Sequence, residues 1–157
     1  MAYFIDRYFK LLQTLLTLLL CVLVIPVLIQ VASRFLPFIP RYIWTEEIAR
    51  FAFIWIILIG SSIAVRDQSH FHVDVLPRFS ARTENLLRIL LLMFMLLLAI
   101  VFVVGGFQFT VFGATQSSEI SGLPMLTIYV AWPLAGLSWI LFLVEQIYQH
   151  FNQQQKL

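Results

Sequence analysis

The chain has 157 residues, 61% of them hydrophobic and 11% charged, where soluble domains average about 45–50% and about 25%. A soluble domain of this size buries only about 70% of its unfolded surface, so the apolar surplus would lie on the outside and aggregate; this excludes a soluble enzyme, a disordered tail and a nucleic-acid-binding domain. Ten basic against eight acidic residues leave a net charge of +2, too small to imply a polyanionic partner, and one cysteine, Cys21, excludes an internal disulfide or a cysteine-based metal cluster.

Four apolar segments carry the hydrophobicity: residues 11–32, 48–65, 89–112 and 125–144. Arg50 is the only charge in any of them. A helix needs about 20 residues to cross a hydrocarbon core of about 30 Å, and in lipid the backbone must bond within its own segment. Alternation with period two, the mark of a membrane barrel, is absent. The expectation is an all-α integral membrane protein. Residues 1–157 form a single domain of four transmembrane helices joined by amphipathic or interfacial segments. The first run exceeds the apolar core of about 7–15 residues typical of a signal peptide, so a retained helix is expected. Cys21 lies within it and is expected to be buried and inert.

Between the first two segments, residues 33–47 hold Pro37 and Pro40, which prevent a continuous helix. Phe35, Phe38, Ile39, Tyr42, Ile43 and Trp44 suit the membrane interface. Thr45 is the expected N-cap of the second helix, with Glu46 and Glu47 in its first turn, where the helix dipole favours negative charge. Arg50 follows four residues after Glu46 and three after Glu47, so all three are expected on one face. About one turn inside the membrane, Arg50 requires a partner. The cluster reads either as a local ion pair at a helix start or as a polar lock to another element or subunit. Gly60 and Ala64, four apart, mark a face for close helix approach, as do Ala131, Ala135 and Gly136. Gly105 and Gly106 do so in the third helix, and the pair also marks a place where that helix can bend.

Residues 66–88 are the most polar stretch, with His70, His72 and Asp74 alternating. Residues 79–88 suit a short amphipathic helix leading into the third span. The connection 113–124 is short and rich in serine and glycine, with Glu119 its only charge. Seven lysines and arginines fall on the side of the termini and the 66–88 connection, and three on the other. The positive-inside rule therefore puts both termini in the cytoplasm. The spans contain no aspartate, glutamate, lysine or histidine. No catalytic, cofactor or metal site is expected, since ion and proton pathways need such groups at depth. The histidines lie outside the spans, which disfavours paired haem ligation.

The run Trp44-Thr45-Glu46-Glu47-Ile48-Ala49-Arg50-Phe51, then Trp55, Gly60-Ser61, Ala64-Val65-Arg66, His70 and Val73-Asp74, resembles the small membrane subunit of TRAP transporters, the DctQ type. The motif covers residues 44–74, and length and four spans agree over the whole chain. The resemblance implies a bacterial inner-membrane subunit of a sodium-coupled, binding-protein-dependent transporter for organic acids. In such a system the small subunit scaffolds a large membrane subunit that moves the substrate, and helps dock a periplasmic binding protein. Trp44, Glu46, Glu47, Arg50, Trp55, Gly60, Arg66, His70 and Asp74 then become candidates for a subunit interface or a structural lock, among membrane lipids and with no nucleic acid. The alternative is a self-associating four-helix channel or transporter that works without a large subunit.

Overall fold

The computed structural model describes residues 2–36, 40, 42–67 and 81–154. They form five helices: α1 (Ala2–Phe35), α2 (Ile43–Arg66), α3 (Ala81–Gly113), the single turn α4 (Leu126–Tyr129) and α5 (Ala131–Gln154). Four spans are long and apolar enough to cross a membrane: Tyr3–Phe35, Ile43–Arg66, Ile89–Gly113 and Leu126–Tyr148. There is no strand among the described residues, only a bridge between Ser117 and Pro124.

The helices outrun the apolar segments from which they were predicted. Charges end an apolar run but not a helix, so α1 starts at Ala2 rather than at residue 11, and its 34 residues reach about 50 Å. Residues 81–88 continue into α3 without a break. Pro26 sits inside α1, where its missing N–H leaves the Val22 carbonyl without its intrahelical donor. The predicted fourth helix is two. Val130, itself in helical conformation, joins α4 to α5 within one span, Leu126–Tyr148, and Pro133 occupies the first turn of α5, a position that tolerates its missing N–H.

In space α1 packs on α2, α2 on α5, and α5 on α3. The core gathers where α5 meets its neighbours. Phe142 and Leu143 are almost fully buried, with Ile5 and Leu12 of α1, Ile59 and Val65 of α2, and Ala99 of α3 around them. Phe142 meets Tyr8 and Phe9 with ring centroids 6.0 and 6.2 Å away. Tyr8 donates to Ser138 Oγ at 2.6 Å, because the Ser138 hydroxyl proton is already given to the Leu134 carbonyl at 2.8 Å. A second, smaller core joins Leu58, Ala131 and Ala135.

Apolar burial drives little helix association in lipid, where packing and polar contacts must do it instead. The outer faces of α1 and α3 accordingly remain apolar and exposed, from Leu11 to Val31 and from Leu90 to Val111. Cys21 is exposed on this surface, contrary to the expectation of burial. Its segment is apolar because it faces outward into lipid or a partner, not into the bundle.

Candidate functional site

The polar side chains gather at the two ends of the bundle. At one end α2 begins. Tyr42 takes the extended N-cap conformation without a side-chain bond to the helix, so Thr45 is not the cap. It sits inside the first turn, 1% exposed, and returns both its N–H (3.2 Å) and its hydroxyl (2.6 Å) to the Tyr42 carbonyl. The helix starts earlier because Ile43 and Trp44 are exposed apolar residues that lose nothing by being helical in lipid. Trp44 leans on Tyr42 at 5.9 Å between centroids.

The three charged residues that follow divide between two faces. Arg50 pairs with Glu46 at 3.3 Å on the outside of α2, both side chains about two-thirds exposed. Glu47 turns inward, 7% exposed, against Ser118 and Ser121 of the 114–125 connection. That connection is built to receive it. Ser118 donates its backbone N–H to the Leu123 carbonyl at 2.9 Å, Met125 donates to Gln116 at 3.0 Å, and Gly122 turns the chain at a φ of 70°. Ser118 Oγ accepts the Ile120 N–H at 3.2 Å, which leaves its own O–H to donate towards the carboxylate. Ser118 and Ser121 were not among the sequence candidates. Their only signal was a serine-rich loop with an unexplained glutamate two spans earlier in the chain.

Trp55 fastens the same region about two turns beyond Glu47. Its indole N–H reaches the Thr127 carbonyl at 3.0 Å, tying α2 to α4. Gly60 behaves otherwise: a Cβ added there would meet nothing within 4 Å, so it is not a point of close helix approach. That role belongs to Gly106 and Gly136, where an added Cβ would lie 2.7–2.9 Å from atoms of the facing helix.

At the other end Arg66, the last residue of α2, forms the junction of three helices. Its guanidinium pairs with Asp6 of α1 and, through Nε at 3.4 Å, with Glu145 of α5. It lies over the Phe9 ring, 4.4 Å from the centroid, and 5.7 Å from that of Phe142. Gln146 donates to the Val65 carbonyl at 2.7 Å, satisfying an acceptor that the end of α2 leaves open. Glu145 corrects the sequence reading of charge-free spans. It stands one residue beyond the apolar run, yet its span continues to Tyr148 and its side chain is only 9% exposed. His70 and Asp74 lie outside the described residues.

The chain is thus a helical membrane subunit whose spans are pinned together at both ends, with apolar outer faces free to meet lipid or another protein. It belongs to the DctQ family: the profile of the tripartite ATP-independent periplasmic transporters, DctQ component, matches residues 23–153. It is therefore a multi-pass membrane protein of a transporter family. It is 31% identical over 97 residues to a putative TRAP transporter small permease protein of Haemophilus influenzae, a match covering 59% of this chain and 58% of that one. It is 40% identical over 45 residues to the isethionate TRAP transporter permease protein DctMQ of Oleidesulfovibrio alaskensis, over 28% of this chain and 7% of that one. The chain thus spans less than two thirds of the length of either relative.

Proposed function

We propose that the chain is the small permease subunit of a sodium-coupled, binding-protein-dependent transporter of organic acids. In this role it braces a large membrane subunit and helps dock a periplasmic binding protein, from the bacterial inner membrane. The observation that carries this reading is that the charged side chains of its helix ends hold helices to one another. Arg66 joins α1, α2 and α5, and Glu47 joins α2 to the 114–125 connection. Groups spent on such bonds stiffen a scaffold. A moving carrier instead needs groups that bind and release its ion or substrate at depth. The matched segment of the Oleidesulfovibrio relative belongs to a much longer permease chain, consistent with work beside a larger partner. That relative's named solute, isethionate, is an organic acid.

The test is purification together with a large membrane subunit of a TRAP transporter. A stable stoichiometric complex is expected in detergent. In liposomes the chain alone should take up no organic acid on a sodium gradient. Sodium-driven uptake by the chain alone would defeat this reading in favour of a self-sufficient carrier.

The excess of lysine and arginine orients both termini and residues 66–88 to the cytoplasm, leaving the 114–125 connection in the periplasm. With Cys21 replaced by serine, a cysteine at the exposed Ser117 should react with an impermeant thiol reagent added to intact cells, and one at Ser69 should not. The reverse pattern would invert the topology.

A further inference from the structure

Both α2 and α3 pack on α5, and they leave a cleft of about 260 Å³ between them. Ser61 and Val65 of α2 form one wall, and Leu91, Met95 and Leu98 of α3 the other, with Trp139 of α5 between them. The cleft therefore runs along the helices, within the spans. Leu91 and Leu98 are exposed, so it opens to the outside of the bundle. The Ser61 hydroxyl is given to the Leu58 carbonyl of its own helix at 2.8 Å, which leaves one donor of the cleft unused.

That donor is the indole N–H of Trp139. The residue is 7% exposed and its ring packs against Phe102, with centroids 4.8 Å apart, yet Nε1 has no hydrogen-bond partner among the described residues. Trp55, by contrast, gives its N–H to the Thr127 carbonyl at 3.0 Å. A buried N–H without an acceptor is costly. Trp139 stands near the middle of the span Leu126–Tyr148, whereas the oxygens of a phospholipid lie at the edge of a hydrocarbon core of about 30 Å. An acyl chain can fill the cleft but cannot satisfy the indole, so the acceptor has to come from protein. The α2 wall also suits a helical neighbour. Gly60 and Ala64 come one position before Ser61 and Val65, and a Cβ at Gly60 would meet nothing within 4 Å. Small residues let a second helix come close, and no helix of this chain uses the space at Gly60.

We propose that a transmembrane helix of the large permease subunit lies in the cleft between α2 and α3 and brings a side-chain oxygen, from a hydroxyl or a carboxamide, to the Trp139 indole N–H. The proposal rests on the bracing role given above and assigns it to one face of the bundle. Packing and interhelical hydrogen bonds hold helices together in lipid, and the cleft offers both.

The test is recovery of this chain on a tagged large subunit in mild detergent, set beside the thermal midpoint of the chain purified alone. Ser61→Phe fills the cleft and should lower recovery about tenfold or more while the chain alone keeps its midpoint, because the lost hydroxyl served only its own helix. Trp139→Phe keeps a ring beside Phe102 and removes the donor, and should lower recovery severalfold. Cys21→Phe adds similar bulk on the exposed face of α1 and should change nothing. Wild-type recovery in both cleft variants, the result expected if an acyl chain or a second copy of this chain fills the cleft, would overturn the proposal and leave the bracing role standing. No complex with the wild-type chain would overturn both. Equal loss in Cys21→Phe, or losses that merely follow a fallen midpoint of the chain alone, would also overturn the proposal. If Ser61→Phe does not fold, Trp139→Phe decides by the same comparison.

Discussion

Arg66→Ala should lower the thermal midpoint of the detergent-solubilised protein more than any other single charge removal, and should reduce its yield in the membrane. Arg66 is 17% exposed and Glu145 9%, so the substitution leaves a largely buried carboxylate without the cation that faces it. Breaking a buried pair from one side costs about 3–5 kcal/mol. Here Asp6 is 57% exposed and water screens its share, so we expect about 2–3 kcal/mol. The loss also includes packing, because the guanidinium covers the Phe9 ring at 4.4 Å and such contacts contribute about 0.5–2 kcal/mol.

Arg66→Lys separates these contributions. The ammonium keeps the charge but has no planar fork to serve Asp6 and Glu145 together while stacking on an aromatic face. It should recover part of the loss. Asp6→Asn, at the exposed edge, should cost much less than Arg66→Ala. The measurement is the unfolding midpoint followed by size-exclusion fluorescence. A wild-type midpoint for Arg66→Ala would show that the three-helix junction contributes nothing to stability.

The sequence carried the number of spans, their helical state and the family, because each follows from long-range composition or from a spaced motif. Its account of Arg66 was thinner. The motif marked the residue, and charge counting used it only for orientation, since neither Asp6 nor Glu145 is near it in the chain. Glu145 was lost for a related reason. A boundary drawn at the last uncharged residue treats the next one as wet, whereas here the partner that neutralises it arrives from another helix. The Glu46, Glu47 and Arg50 group was found, and its division was not. Spacing of three and four residues brings side chains near one another, but only the 114–125 connection decides that Glu47 faces inward while Glu46 and Arg50 stay outside. The N-cap was misplaced because Thr45 has the right chemistry for a cap two residues inside a helix that begins without one.

The glycines give the second large effect. The sequence reading took Gly60, Gly105, Gly106 and Gly136 alike as packing positions, and Gly105 with Gly106 also as a bend, but the structure separates them by what an added Cβ would touch. At Gly106 it would lie 2.7 Å from both Pro133 N and Cδ, and at Gly136 2.8 Å from the Ala99 carbonyl oxygen and 2.9 Å from Val103 N. Backbone atoms cannot rotate aside as a side-chain end can, so α3 and α5 must move apart. Overpacking of this kind costs about 1–3 kcal/mol, and the separation also exposes contacts around Ala99, which is 0% exposed. Gly106→Ala and Gly136→Ala should therefore lower the thermal midpoint, despite the better helix propensity of alanine. Gly60→Ala and Gly105→Ala should hold it or raise it, because nothing lies within 4 Å of either Cβ and alanine gains about 0.8–1 kcal/mol in a helix interior. The neighbours Gly105 and Gly106 make the sharpest comparison, since they share a helix, a depth and a residue type. If alanine at 105 proves as damaging as alanine at 106, the α3–α5 contact is not where the helices are held close, and the bend reading of this pair regains its ground.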